Sequence, residues 1–291
     1  MYTPRGFAPG HVLPADIGEH ALAFTFSAGK LLVSADASGE RDRATGAVRV
    51  PTWGDLERLG LAGRAHYLGA FEDVACVAVN LDRAHDDTCN APEGWQWSGL
   101  RPLFFAMPEA IVALAGRAFQ VVEWDRTHRF CGQCGTAMQD KSGERARECP
   151  ACGHTAYPRV SPAMMVLVTR GREMLLARAS RFPPGMFSAL AGFVEPGETI
   201  EDCIAREVRE EVGLGVAGFT YFGSQSWAFP HSLMIAFTAE YAAGELTPDA
   251  TEIAEARWFT PESLPAMPPS ISIARKLIDA TAQRLAALPA Q

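Results

Sequence analysis

Through the first 125 residues the apolar positions fall in short blocks. ALAFTFSAG (21–29), KLLVSAD (30–36) and ACVAVNL (75–81) are each bounded by Gly, Asp or Pro, the pattern of strands ended by turns. From 100 to 124, LRPLFFAMPEAIVALAGRAFQVVEW changes to a three-and-four spacing with Pro108 marking a helix start. Residues 1–125 therefore read as an α+β domain. After residue 159 the order is strand (AMMVLVTR, 163–170), a turn at Gly171, strand (EMLLARA, 173–179), a Pro/Gly loop (FPPGMF), a short strand (SALAGF, 188–193), then a helix. Strands TYFGSQSW, SLMIAFTAEYA and EARWFT follow, and SISIARKLIDATAQRLAAL (270–288) has a helical period. This predicts a mixed sheet flanked by helices over 159–291. No internal repeat or low-complexity tract is visible.

Composition narrows the function classes without naming one. With 48% hydrophobic and 21% charged residues the chain is an ordinary globular protein. A formal charge of −8 excludes a protein that coats nucleic acid through a broad basic surface. The first residues carry no secretory signal, and no apolar run approaches the roughly 20 residues of a membrane span; a cytoplasmic protein without membrane attachment is expected. Seven cysteines, an odd number, argue against a disulfide framework. Cys76, Cys89 and Cys203 are scattered and read as small apolar residues.

Between 126 and 158 the remaining four, Cys131, Cys134, Cys149 and Cys152, form C-x2-C-x14-C-x2-C. Each pair turns tightly enough for two thiolates to meet one tetrahedral ion. Four thiolates fill the shell of a structural Zn²⁺ and leave no open position for chemistry. A redox dithiol or an iron–sulfur site is the alternative chemistry. A zinc ribbon that grips nucleic acid through Arg126, His128 and Arg129 is a rival role, against a merely solvated basic edge.

REVREEVG, Arg206 to Gly213, puts Glu207, Glu210 and Glu211 at offsets of three and four on one helix, where like charges repel. Thr199 and Asp202 outline a capping box, and Gly213 suits the helix end. Ile204, Val208 and Val212 form the core stripe, with the carboxylates on an adjoining stripe at the rim. A solvated acidic face is the plain reading of such a run, but hard oxygen ligands at this spacing suit Mg²⁺ or Mn²⁺.

From Gly192 five residues lead to Glu198, seven more to Arg206-Glu207, then Val208, Glu210-Glu211, Gly213 and Leu214, nine fixed positions over 23 residues. This stretch resembles the box of the Nudix hydrolases, which implies an α/β/α sandwich. The resemblance makes Glu207 and Glu211 principal metal ligands, Glu210 a ligand or base, Ala191 a backbone ligand and Glu252 a further one, with Glu255 a surface residue; Glu198 and Arg206 are expected to pair.

Eleven residues past Gly213, SQSWAFPHS (224–232) keeps six of the eight specified letters of SQPWPFPxS, and with the cysteine quartet and the preceding domain it resembles the NADH pyrophosphatase family. Ser226 and Ala228 stand where that family has prolines. The resemblance implies substrate contacts from Gln225, Ser226, Trp227, Ala228, Phe229, Pro230, His231 and Ser232, and also from Tyr157, Glu144, Ala274 (backbone) and Arg101. Trp227 and Phe229 offer flat faces for a nicotinamide or adenine ring, and Gln225 and Ser232 offer hydrogen bonds. The implied activity is cleavage of NADH or NAD⁺ to NMN(H) and AMP, removal of a 5′ NAD cap from RNA, and assembly as a homodimer. Other readings are a Nudix enzyme for ADP-ribose or a diadenosine polyphosphate, and a non-catalytic zinc-ribbon module.

Overall fold

The structure, a computed structural model, describes residues 2–34, 48–81 and 90–289; Cys89 and the last two residues of the 30–36 run lie outside them. The chain divides into two compact units, Met1–Arg159 with Ala228–His231, and Val160–Trp227 with Ser232–Gln291.

In the first unit, β1 (Phe7–Pro9), β2 (Leu22–Ser27), β3 (Lys30–Ser34), β4 (Ala65–Phe71), β5 (Val74–Asn80) and β6 (Trp95–Ser98) form one sheet in the order β1-β4-β5-β2-β3-β6. β2 and β5 run parallel and the other neighbours antiparallel. Strand alternation assigns the two faces. Ala23 packs with Leu56 of α1 (Trp53–Arg58), while Phe26 meets Phe119 of α2 (Glu109–Thr127) with ring centroids 5.5 Å apart. The helical-looking run from 100 splits into a 3₁₀ turn at Pro102–Phe105 and α2, with Pro108 as the cap residue. Three short antiparallel strands follow, β7 (Gln139–Asp140), β8 (Arg147–Glu148) and β9 (Thr155–Ala156).

The second unit holds β10 (Ser161–Arg170), β11 (Glu173–Ala179), β12 (Leu190–Phe193), α3 (Ile200–Val212), β13 (Gly215–Trp227), β14 (Ser232–Ala243), β15 (Ile253–Phe259) and α4 (Ile273–Ala286). Its sheet runs β13-β14-β10-β11-β15, with β12 also paired to β10. Met164, Val166 and Val168 of β10 pack with Cys203, Ile204, Val208 and Val212 of α3, and Met165 and Leu167 pack with Ile273, Leu277 and Ile278 of α4. A strand covered on both faces has to be apolar at every position, so its sequence is a continuous run. The result is an α/β/α sandwich.

The expectation of no internal repeat is corrected here. β4-β5-β2-β3-β6 repeats the order of β13-β14-β10-β11-β15, and in both, among the described residues, the only parallel strand pair is the third strand with the second, β2 with β5 and β10 with β14. A helix with a Thr-x-x-Asp capping box precedes β4 and β13 alike, capped by Thr52 and Thr199. The copies diverge inside that helix. α1 ends at Arg58, and Gly60 (φ +65°) stands eight residues after its cap, where Glu207 stands in α3. The repeat survives in backbone topology while the side-chain pattern has diverged. Among the described residues no helix is long and apolar enough to cross a membrane.

Candidate active site

Local chemistry fixes α3 at both ends. Thr199 Oγ accepts from the Asp202 amide (3.1 Å), the Asp202 carboxylate accepts from the Thr199 amide (3.3 Å), and Gly213 closes the helix at φ +74°, a conformation that favours glycine. Ile204, Val208 and Val212 are fully buried, as the stripe predicts.

Arg206 organises the neighbouring carboxylates. Its guanidinium donates to Glu198 (2.6 and 3.0 Å), to Glu210 (3.1 Å) and to the Phe193 carbonyl (3.0 Å), and lies 3.0 Å from Glu207. Glu198 also accepts from the Glu195 amide (2.9 Å), and Arg206 foremost draws its carboxyl down to about 2. The expected pairing of Glu198 with Arg206 is thus present, and part of the acidic stripe is neutralised by the chain itself.

The expectation of three carboxylates at the rim needs correction. The Glu210 side chain is 60% exposed and that of Glu207 is 13% exposed, but Glu211 is buried at 8%. A later segment is tied to the end of this helix: the Thr247 and Asp249 amides donate to the carbonyls of Val212 and Glu211, both at 2.9 Å. Glu211 Oε2 is buried with no hydrogen-bond partner. Burial first, then the charges of Glu207 and Glu252, push its carboxyl up to about 8 against the pull of Arg181. Glu207 is raised as well, by burial foremost, which outweighs the pull of Arg206, with smaller help from the charges of Glu210 and Glu252.

β12 brings Gly192 hard against this cluster. A Cβ at Gly192 would lie 1.9 Å from Cδ and Oε1 of Glu207, so the first glycine of the box serves close approach. Ala191, one residue earlier, pairs with Met165 of β10. Glu252 is exposed and lies in a turn tied by Ser180, whose amide and hydroxyl donate to the Glu252 carbonyl (3.0 and 3.2 Å). Glu255 instead lies 3.7 Å from Arg178 and contacts Arg257. Arg181 is the charged neighbour that sequence reasoning missed; a single arginine in a Pro/Gly loop carries no signal of its own.

The oxygen-donor set is short of positive charge, and an orphaned buried carboxylate oxygen beside two further carboxylates fits a hard divalent cation. The cysteines fit zinc on geometry. Their four sulfurs lie within 4.8 Å of one another, with Cys131–Cys152, Cys134–Cys149 and Cys134–Cys152 at 3.6, 3.5 and 3.6 Å; a tetrahedron with Zn–S bonds of about 2.3 Å has edges of about 3.8 Å. Two matching turns build it: Gly135 and Gly153 donate to the carbonyls of Cys131 and Cys149, both at 2.9 Å. Cys76 and Cys203 are fully buried.

The structure gives the SQSWAFPHS segment mixed surroundings. Gln225 is 2% exposed; its amide donates to the Ile271 carbonyl and accepts from the Ile273 amide, both at 2.8 Å. That side chain pins the start of α4, whose first turn holds the buried Ala274, in place of the sugar or phosphate bonds expected of it. Ser232 is buried at the start of β14 and Ala228 is fully buried, whereas Ser226, Trp227, Phe229 and His231 are half-buried and Pro230 exposed. Within the first unit Phe229 meets Phe104 edge-on at 5.9 Å and lies 4.2 Å under the Arg101 guanidinium, so two expected substrate residues come together. Tyr157 donates to Glu144 (2.5 Å), which Lys141 approaches at 3.0 Å. Of the basic edge, Arg126 is paired with Glu123 at 2.6 Å, and His128 contacts the Trp124 carbonyl.

Three family profiles tile the chain: "NADH pyrophosphatase-like rudimentary NUDIX domain" at 20–124, "NADH pyrophosphatase zinc ribbon domain" at 126–157 and "NUDIX domain" at 159–280. The NAD-capped RNA hydrolase NudC of Stutzerimonas stutzeri is 53% identical over 212 residues, 73% of this chain and 75% of that protein. The protein of the same name from Chromobacterium violaceum is 53% identical over 195 residues, 67% and 74% of the two chains. A solved Nudix hydrolase from Nitrosomonas europaea aligns at 24% identity and TM-score 0.47, covering 56% of this chain and 95% of its own. With its zinc-ligating quartet, complete carboxylate helix and doubled sheet, the chain belongs to the NADH pyrophosphatase family of Nudix hydrolases.

Proposed function

We propose that this protein hydrolyses the pyrophosphate bond of NADH and NAD⁺, adding water to give NMN(H) and AMP, and that it cuts the same bond in an RNA bearing a 5′ NAD cap, leaving a 5′-monophosphate. The reading rests above all on Glu211, a buried carboxylate without a partner next to Glu207 and Glu252, which a protein without a use for a cation would have no reason to keep. The names of its relatives supply the substrate class.

Glu207, Glu211 and Glu252, with the carbonyl of Ala191, would hold Mg²⁺ or Mn²⁺. A bound divalent ion supplies charge neutralisation at the phosphates and a water of lowered pKa. Glu210, exposed and restrained by Arg206 at 3.1 Å, can ligate or accept the proton of the attacking water. Arg206 fixes the rotamers of Glu207 and Glu210 before substrate arrives, so less ordering is left to the reaction itself. Trp227 and Phe229 provide ring faces, with Arg101 already seated on Phe229. Ser226, Ala228, Pro230, His231 and Ser232 shape the same segment, and Tyr157, Glu144 and Ala274 supply polar groups. Gln225 contributes by setting the start of α4.

Purified zinc-loaded protein with Mg²⁺ or Mn²⁺ should release AMP and NMNH from NADH, resolved by chromatography, and Glu207→Gln should abolish it. Comparing kcat/KM for NADH, NAD⁺, ADP-ribose and NAD-capped RNA in one buffer ranks the substrates; a dominant ADP-ribose activity, or none at all, would defeat the proposal. Clustered cysteines kept as metal ligands fit a reducing compartment, which supports a cytoplasmic site of action. Phe105 and Phe130 of the first unit are 79 and 69% exposed, apolar surface that supports a homodimer, which sedimentation equilibrium would test.

A further inference from the structure

The strongest unassigned feature lies wholly within the first unit. Arg64 at the start of β4, His66 on β4, Asn80 at the end of β5, Asp125 in the last turn of α2, Arg129 beside the first knuckle and Arg147 on β8 line a cavity of about 280 Å³. None of them belongs to the zinc quartet or to the glutamate helix. This volume falls just below the roughly 300–1,000 Å³ of pockets that enclose drug-sized ligands, so a dinucleotide is too large for it and a small anion is not.

Its lining is rich in donors. Arg147 is 5% exposed and contacts Asp125 through Nη2, but its Nε is buried with no hydrogen-bond partner. Leaving a buried donor of a charged group unmet is costly, which points to an acceptor that completes it. Arg129 is half-buried, and among the described residues its guanidinium, a planar fork of five donors, has no ion-pair partner. Two carboxylates answer these cations. Asp125, 6% exposed, is 3.4 Å from both Arg64 and His66 besides its contact with Arg147; Asp140 takes Arg64 at 2.6 Å and approaches Arg147 at 3.6 Å. Three guanidinium groups against two carboxylates leave an excess of positive charge before His66 is counted, in a chain whose formal net charge is −8.

We propose that this cavity is a binding site for a phosphoryl oxyanion, held by Arg129, the free Nε of Arg147 and the unused donors of Arg64, with Asn80 and His66 completing its walls. Guanidinium forks match phosphate oxygens in geometry and charge. The site draws Arg64, His66, Asn80 and Asp125 from the N-terminal sheet and helix and Arg129 and Arg147 from the zinc ribbon, so ligand and zinc would stabilise the same arrangement.

Calorimetric titration of the full-length, zinc-loaded protein with inorganic phosphate at constant ionic strength tests this. The expected result is one phosphate bound per chain, at least tenfold weaker in Arg129→Gln, with affinity largely kept in Arg129→Lys and zinc content unchanged in both. Methyl phosphate in the same cell separates the sources: binding equal to that of phosphate assigns the site to a phosphomonoester end of a larger molecule as well as to the free ion, and binding of phosphate alone restricts it to the ion. No heat with either ligand, or equal affinity in wild type and Arg129→Gln, would overturn the proposal.

Discussion

Gly192 and Glu207 meet so closely that a single methyl group decides whether the carboxylate keeps its place. A Cβ at 192 would fall 1.9 Å from the Glu207 carboxylate, and that carboxylate is the mobile end of a side chain, so it can move aside while the strand stays. Gly192→Ala should lower kcat on the order of 10²-fold while moving Tm by only a few degrees; wild-type turnover in this variant would show that the close approach does not matter. Glu211 makes a prediction in pH. Its unfolded carboxyl titrates at about 4.3 and its folded one at about 8. Across that window the unfolded chain gives up a proton that the folded chain keeps, so stability falls as pH rises and levels off above about 8. Urea denaturation with zinc retained and no added divalent ion should show wild type losing a few kcal/mol between pH 5 and pH 8 relative to Glu211→Gln. Parallel pH profiles would mean the carboxyl is not held protonated. Added Mn²⁺ should remove the difference by favouring the ionised form.

The elements differ in how much of themselves they show in sequence. Both ends of α3 were legible, because a capping box and a terminal glycine act within four residues; Thr199→Ala should cost about 1 kcal/mol, read as a lower Tm with KM for NADH unchanged. Burial of Glu211 was not legible, since the end of α3 is closed by tertiary contacts such as the hydrogen bonds from Thr247 and Asp249, which leave no local sequence signal. Gln225 shows the same limit: its motif suggested substrate, yet the groups it binds are 46 and 48 residues further on. The doubled sheet escaped for another reason. Strand order leaves no trace in residue types, and a helix of six residues facing one of thirteen presents no common period. By contrast β10 announced itself, because two covered faces demand apolar residues throughout.

On the scale of the molecule, the zinc ribbon is more than a self-contained clamp. Through Arg147 it inserts a buried cation against Asp125 at the end of α2, and Arg64 reaches Asp140 from β4. His66, Arg64 and Arg147 together overcome the burial of Asp125, which alone would raise its carboxyl, and hold it well below the usual carboxylate range. Arg147→Met should therefore cost about 1–3 kcal/mol, because Asp125 loses one buried donor but keeps Arg64 and His66 at 3.4 Å, and Asp125→Leu in the same chain should restore only part of it. Chelating zinc should lower Tm further in wild type than in the double variant; equal losses would mean that the ion does not position Arg147. One last consequence follows from the helix that ends at Arg58, before Gly60. Among the described residues the first unit has Gly60 where α3 has Glu207, so the carboxylate pattern of α3 is not repeated on α1. Stabilising substitutions in the apolar core around Leu32, Leu56 and Val77 leave His66, Asn80 and Arg101 in place, whereas gains sought around α3 will compete with turnover.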